Sequence, residues 1–314
     1  MNFKAGYVAI VGQPNVGKST LLNKIIGEPV AIVTPKPQTT RNRIIGILNR
    51  PDAQLVFIDT PGYHSIPRPL HQFMLNEIEK TIDESDLFCF LIDPESDQPH
   101  LDDDLLERLH GKNPIVIVNK ADLFLGARVA PSTGKAGGAS PSRSHSLAKS
   151  REEIAEELRS KWNLKELFFI SALHGDGVQE LIQTLTDRLP EGPKFFEEDI
   201  YTELPIRFLA AESIREQAML LLHQELPYGL AVEVVSFEEK PQITVIKANI
   251  VVESPSHKSM VIGKGGQMIK KLGTRARERI EFMMGDQKVF LELFVKVDED
   301  WTLSADKLRQ YGYV

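Results

Sequence analysis

Gly12-Gln13-Pro14-Asn15-Val16-Gly17-Lys18-Ser19 carries the spacing G-x-x-x-x-G-K-[ST], the pattern of a loop that cradles phosphates. Glycines let a backbone wrap closely around a polyphosphate and turn its N–H groups inward. A helix starting behind the loop adds a favourable dipole for an anion. In that arrangement Lys18 reaches the β and γ phosphates, Ser19 offers a hydroxyl to Mg²⁺, and Thr20 ends the nucleotide-binding run.

Two further motifs follow in order. Asp59-Thr60-Pro61-Gly62 ends an apolar run; there Asp59 can hold the Mg²⁺ hydration shell and the Gly62 N–H can sense a γ-phosphate. Asn119-Lys120-Ala121-Asp122 ends the run Ile115–Val118. The Asp122 carboxylate can accept two hydrogen bonds from guanine, from N1–H and the exocyclic amine. Adenine lacks that donor pair and would leave a buried carboxylate unpaired, so the expected ligand is GTP or GDP rather than ATP. Ser171-Ala172 fits the loop whose backbone N–H meets guanine O6.

Between the loop helix and the next strand lies Pro37-Gln38-Thr39-Thr40-Arg41, where a first switch segment belongs. Thr40 is the expected second Mg²⁺ hydroxyl, with Thr39 as the alternative; Ser19, Thr40 and Asp59 form the expected metal set. Lys18, Thr40 and Gly62 are the expected catalytic positions. After Gly62 stands Tyr63, assigned to the nucleotide site, where Ras-like enzymes place a water-orienting glutamine. The expectation is slow intrinsic hydrolysis, with the water held by backbone, a partner, or a monovalent cation such as K⁺ near Asn15. His64 could serve as a base but reads rather as a surface histidine in a mobile switch.

A third constellation lies near the other end. Gly263-Lys264-Gly265-Gly266 fits the G-x-x-G loop with which KH domains clamp a nucleic-acid backbone between two helices. Met268, Ile269, Leu272, Ala276 and Ile280 recur near helical spacing behind it. Between Ser256 and Arg279 stand seven cations, Lys258, Lys264, Lys270, Lys271, Arg275, Arg277 and Arg279, against one acid, Glu278. That local field suits phosphate contact although the whole chain carries a net charge of -7. The RNA-binding expectation covers Lys258, Ile262, Gly263, Lys264, Gly265, Gly266, Lys270, Lys271 and Arg275.

These residues need elements to hold them. Strand-like runs at Tyr7–Val11, Arg43–Leu48, Leu55–Asp59, Leu87–Asp93, Ile115–Val118 and Leu167–Ile170 alternate with helical patterns. That alternation predicts an α/β domain with a mostly parallel sheet. Beyond it, a helix from Phe208, strands near Leu230–Phe237 and Ile243–Glu253, a helix pair around the G-x-x-G loop and a strand at Val289–Val297 predict a smaller α+β domain in the type II KH order. The expected boundaries are residues 1–192, a linker over 193–205, and 206–314. The stretch 126–150 is rich in Gly, Ser, Ala and Pro and contains no acid, so it reads as a disordered insertion. Its cations, Arg128, Lys135, Arg143 and Lys149, could touch RNA or lipid but read rather as part of a solvated linker. At 314 residues two domains suit the chain better than one. The single cysteine, Cys89, excludes an internal disulfide framework and suits a reducing cytosol. The sequence shows no signal peptide and no run long enough to span a bilayer.

Taken with Leu173, Val261 and the ending Leu308-Arg309-Gln310-Tyr311-Gly312-Tyr313, these motifs make the chain resemble the bacterial Era GTPases over nearly its whole length. The resemblance implies a P-loop GTPase domain fused to a type II KH domain. It implies GTP hydrolysis to GDP with Mg²⁺, and binding near the 3′ end of 16S ribosomal RNA. It also implies help in maturing the small ribosomal subunit, and a cytoplasmic location with some peripheral membrane association. A monomer is the expected state. The alternatives are a non-enzymatic, nucleotide-gated RNA-binding assembly factor, and a GTPase whose second domain binds protein.

Overall fold

The computed structural model describes residues 2–63, 69–96, 99–109, 111–124, 150–164, 166–223 and 226–313. The first unit runs β1 (Lys4–Gly12), α1 (Lys18–Ile26), β2 (Ile44–Asn49), β3 (Ala53–Asp59), α2 (Pro69–Glu84), β4 (Leu87–Ile92), α3 (Pro99–Arg108), β5 (Ile115–Val118), α4 (Ala121–Phe124), α5 (Arg151–Trp162), β6 (Leu167–Phe169) and α6 (Val178–Arg188). Its sheet has the order β2-β3-β1-β4-β5-β6, with only β2 antiparallel to its neighbour. Strand side chains alternate between faces, so the continuous apolar runs feed two cores. Val8, Ile10, Cys89, Leu91, Ile115 and Ile117 pack against Leu21, Leu22, Leu181 and Leu185 of α1 and α6. Ala9, Val11, Phe90, Val116 and Val118 pack against Ile78, Ile82, Leu105 and Ile154 of α2, α3 and α5. β1 is flanked by β3 and β4, and the loops that follow their carboxyl ends form the crevice where open α/β sheets bind ligands.

The second unit runs α7 (Ile206–Leu221), β7 (Leu230–Lys240), β8 (Ile243–Val252), α8 (Pro255–Ile262), α9 (Gln267–Met283), β9 (Val289–Val297) and α10 (Ala305–Gln310). Its sheet, β7-β8-β9, pairs β7 antiparallel and β9 parallel to β8. One face carries a core of Ala210, Ile214, Ile246, Ile250, Leu272, Ala276 and Ile280. The element order and both sheet types follow the fold class read from sequence.

Three features differ from the sequence reading. The stretch 193–205 is not a free tether. Ile47 N–H donates to Tyr201 O at 2.8 Å, Thr202 Oγ1 to Ile45 O at 2.6 Å, and Asn49 Nδ2 to Glu198 O at 2.9 Å, which covers the β2 edge. Ser150, counted in the insertion, caps α5: its Oγ accepts from Glu153 N–H at 3.2 Å, and Glu153 Oε2 accepts from Ser150 N–H at 2.7 Å. The rest of the insertion, its four cations and His64 lie outside the described residues. Finally, the chain's end folds back. Trp301, Leu308, Tyr311 and Tyr313 join Leu70 and Met74 of α2 and Ala231 and Val251 of the second sheet in one buried cluster spanning both units.

Candidate functional site

The residues 12–19 turn at the carboxyl end of β1. Gly17, at φ 98°, leaves no room for a side chain because a Cβ there would run into Asn119 Nδ2. The same logic holds for Gly62, where a Cβ would stand 2.7 Å from Pro14 Cα. Lys18 is buried and donates to Gly12 O at 3.1 Å and Gln13 O at 2.8 Å. Burial pulls its pKa down to about 8, opposed by Asp59 and Asp102. A cavity of about 410 Å³ opens between this loop and residues 32–40, lined also by Thr20, Gly62 and Lys120.

Ser19 and Thr40 line that cavity, and Asp59 lies buried behind them. Thr40 Oγ1 lies 2.9 Å from Ser19 Oγ and donates to Asp59 Oδ2 at 3.3 Å; Ser19 Oγ donates to Asp59 Oδ2 at 2.5 Å. Thr39 also lines the cavity, but its hydroxyl donates to Lys36 O at 2.7 Å and meets Thr34 Oγ1 rather than Ser19. Asp59 is fully buried with Oδ1 unpartnered, and burial raises its pKa to about 6 against the pull of Lys18, Ser19 and Thr40. Two hydroxyls and one desolvated carboxylate fit Mg²⁺, a hard cation that takes oxygen ligands and keeps places for water and phosphate. Bound there, Mg²⁺ would neutralise charge on the transferring phosphates. Among the described residues no cluster of three His, Cys, Asp or Glu offers an all-protein metal cage.

Several expected site residues have other tasks. Asn119 is buried; its Nδ2 donates to Val16 O at 2.7 Å and its Oδ1 accepts from Ala172 N–H at 2.9 Å. The Ala172 N–H expected at guanine O6 is therefore engaged by Asn119. Thr60 is buried and donates to Ile10 O at 2.8 Å, away from the cavity. Pro61 lies buried beside it in the turn that leads to Gly62. Tyr63 corrects the sequence reading: its N–H donates to Gly12 O at 3.2 Å, but its ring joins the core over α2 and α3, with Arg108 stacked at 5.6 Å. No phenol reaches the cavity. Gln13 accepts from Ser96 Oγ at 2.9 Å, and Asn15 Nδ2 donates to Pro35 O at 3.3 Å. Lys120, at φ 59°, lies 2.6 Å from Asp93, a partner the motif does not announce. Ala121 is buried under that turn, and Asp122, outside the cavity lining, has His174 Nε2 at 3.8 Å.

The second site is a groove between α9 and β9, lined by Ile269, Lys270, Gly273, Thr274, Arg277 and Leu293. The loop before α9 needs left-handed backbone at Gly263, Gly265 and Gly266, and a Cβ at Gly263 would stand 2.6 Å from Met268 Cβ. Lys258 and Ile262 sit on α8, partly buried, and Lys264 is exposed in the loop. The helix divides the expected cations. Lys270 lines the groove together with Arg277, which the RNA-contact reading left out. Lys271 and Arg275 point to solvent outside its lining. Arg279 lies 3.5 Å from the buried carboxylate of Glu216 on α7.

A phosphate-cradling loop at the first strand's tip, with two oxygen-bearing partners beside it, defines a P-loop nucleotide-binding domain, and the second unit carries a G-x-x-G loop in an α+β module. Residues 7–120 match the family model described as a 50S ribosome-binding GTPase, and residues 225–302 match the KH domain model. GTPase Era of Geobacter sp. (strain M21) is 42% identical, with 99% of this chain and 98% of that protein covered. GTPase Era of Ruminiclostridium cellulolyticum is 40% identical, covering 100% and 98%. A solved structure of Era in complex with MgGDPNP and nucleotides 1506–1542 of 16S ribosomal RNA superposes with a TM-score of 0.87 at 37% identity, covering 99% of each chain. The Aquifex aeolicus Era Y63A variant bound to GDP·AlF4⁻ gives the same TM-score and identity, covering 99% and 100%. The chain belongs to the Era GTPase family. It binds and hydrolyses GTP, and it binds ribosomal RNA.

Proposed function

We propose that this GTPase holds the 3′ region of 16S ribosomal RNA in the α9–β9 groove and serves maturation of the small ribosomal subunit, with GTP state governing its grip. The observation that carries this reading is the groove itself, a cationic helix edge following a G-x-x-G loop, on the helix whose Arg279 meets Glu216, the acceptor of Val33 N–H. The relative solved with 16S nucleotides supports it. Lys18, the Gly62 N–H and the paired hydroxyls of Ser19 and Thr40 bind and orient the triphosphate, so catalysis is positioning and charge stabilisation. With Tyr63 turned into the core, the attacking water is left to backbone groups, a partner, or K⁺ near Asn15. Hydrolysis indifferent to potassium removes that last route. Membrane association implied by the resemblance would be peripheral, since no described helix is long and apolar enough to cross a bilayer.

The test is crosslinking of the GTP-loaded protein in cells, followed by sequencing of attached RNA. Reads concentrated near the 3′ end of 16S RNA support the reading; reads spread over unrelated transcripts reject it.

A further inference from the structure

The segment that carries Thr40 is held mostly from the other unit. Val33 N–H donates to Glu216 Oε1 at 3.1 Å. The Lys36 ammonium donates to Met219 O and Leu222 O at the end of α7, where a cation suits the helix dipole. Arg215 Nη2 donates to Thr39 O. Arg41, only 1% exposed, runs furthest: Nη1 donates to Leu230 O at 2.8 Å and Tyr313 Oη at 3.1 Å, and Nη2 to Tyr228 O at 2.8 Å and Pro227 O at 3.4 Å. The guanidinium also lies 5.5 Å from the Tyr313 ring centre and 6.0 Å from that of Trp301.

We propose that Arg41 is a positioning residue for GTP hydrolysis: anchored in the C-terminal domain, it fixes where the adjacent Thr40 presents its hydroxyl. The proposal rests on reading Thr40 as a metal-facing hydroxyl. Adjacent side chains leave the backbone in opposite directions here. Thr40 Oγ1 meets Ser19 and Asp59, while the Arg41 fork is seated among carbonyls of residues 227–230. The peptide between them is pinned from both sides, and Arg215 holds the carbonyl one residue earlier. Only a planar, multi-donor cation can satisfy so many acceptors at once, so lysine is a poor substitute. A second hydroxyl for Mg²⁺ is thus set by the docking of the two domains. Triphosphate binding, which uses that hydroxyl, depends on Arg41, and diphosphate binding does not.

The experiment uses the full chain. Affinities for a non-hydrolysable GTP analogue and for GDP are measured over a range of Mg²⁺ concentrations, with kcat and KM, for Thr40→Ala, Arg41→Ala, Arg41→Lys and Tyr313→Phe. Thr40→Ala is expected to weaken the analogue about tenfold and to leave GDP within about twofold. Arg41→Ala is expected to reproduce that selective loss with a lowered kcat, Arg41→Lys to recover part of it, and Tyr313→Phe to give a smaller shift of the same sign. Tyr313→Phe removes one oxygen far along the chain, so it reports even where Arg41→Ala folds poorly. Equal losses for analogue and GDP, or none, in the Arg41 and Tyr313 variants beside a selective Thr40→Ala overturn the proposal alone. A non-selective Thr40→Ala overturns the reading of Thr40 and the proposal with it.

Discussion

Asn119 donates its side-chain amide to the carbonyl of Val16 at 2.7 Å, tying the end of β5 to the loop that follows β1. Its carbonyl takes the Ala172 N–H at 2.9 Å, so one side chain braces three loops. Asn119→Ala leaves a buried acceptor and a buried donor unpaired. The nucleotide-free protein is expected to lose about 1–3 kcal/mol per orphaned group at most, measured by urea unfolding without nucleotide. Full stability without nucleotide, with loss only in binding, would contradict the bracing role.

Asp122 is expected to act on the base alone. Asp122→Ala should weaken GDP strongly and shrink the preference for GDP over ADP, while leaving urea stability within about 0.5 kcal/mol, as for an exposed position. Competition binding with both diphosphates reads the result.

Asp59 gives the nucleotide site a pH dependence with a definite sign. Its folded pKa is raised to about 6 by burial, above the ordinary 3.8. The metal-free folded protein therefore binds the extra proton between those values, and Asp59's contribution to stability falls as pH rises through that window. Mg²⁺ needs the ionised form, so protons compete with it below about pH 6. Mg²⁺ titrations of GDP-loaded protein should show weaker binding at pH 5 than at pH 7.5, and Asp59→Asn should weaken binding at both and flatten the difference.

If the α9–β9 groove holds RNA, backbone clamping and charge can be separated there. Added Cβ atoms at Gly265 and Gly266 meet nothing within 4 Å, and Asp tolerates left-handed backbone better than most residues. The Gly265→Asp, Gly266→Asp double variant should stay folded and lose RNA binding. Lys270→Ala and Arg277→Ala should each reduce the salt slope of binding by about one, with smaller effects from Lys271→Ala and Arg275→Ala. Filter binding across a salt series distinguishes these outcomes.

Cys89 lies on β4 in the first core, and burial pushes its thiol up to about 12. The thiolate is the reactive form, so modification by an aromatic disulfide at pH 8 should be slow in the native protein and fast in denaturant. Fast native labelling would place the cysteine outside the core.

The sequence carried the catalytic grammar because those residues act locally. Gly12 to Ser19 and Asp59 to Gly62 are defined by backbone turns at strand ends, and spacing alone records them. What it could not record is which partner each side chain meets across the fold. Tyr63 stands at the position of a water-orienting glutamine, yet its phenol enters the core beside Arg108. Thr39 and Thr40 are equivalent as letters and differ only in which way each hydroxyl turns. The α9 cations look alike until β9 packs alongside and leaves Lys270 and Arg277 at its edge. Arg41 reads as one more charge in a switch loop; its burial depends on residues 186 or more positions away. Such contacts have no period and no motif, and only the folded chain supplies them.

The stitches between β2 and residues 198–202 limit how the molecule can change shape. A leash fastened along its length has no slack, so the C-terminal domain cannot swing out on a long arm. The anchoring continues past residue 202, since Leu204, and Phe208 of α7, pack on the first core. Any rearrangement that frees Arg41 must then slide the aromatic cluster of Trp301 and Tyr313 across α2, drawing the segment 33–41 along in the same stroke.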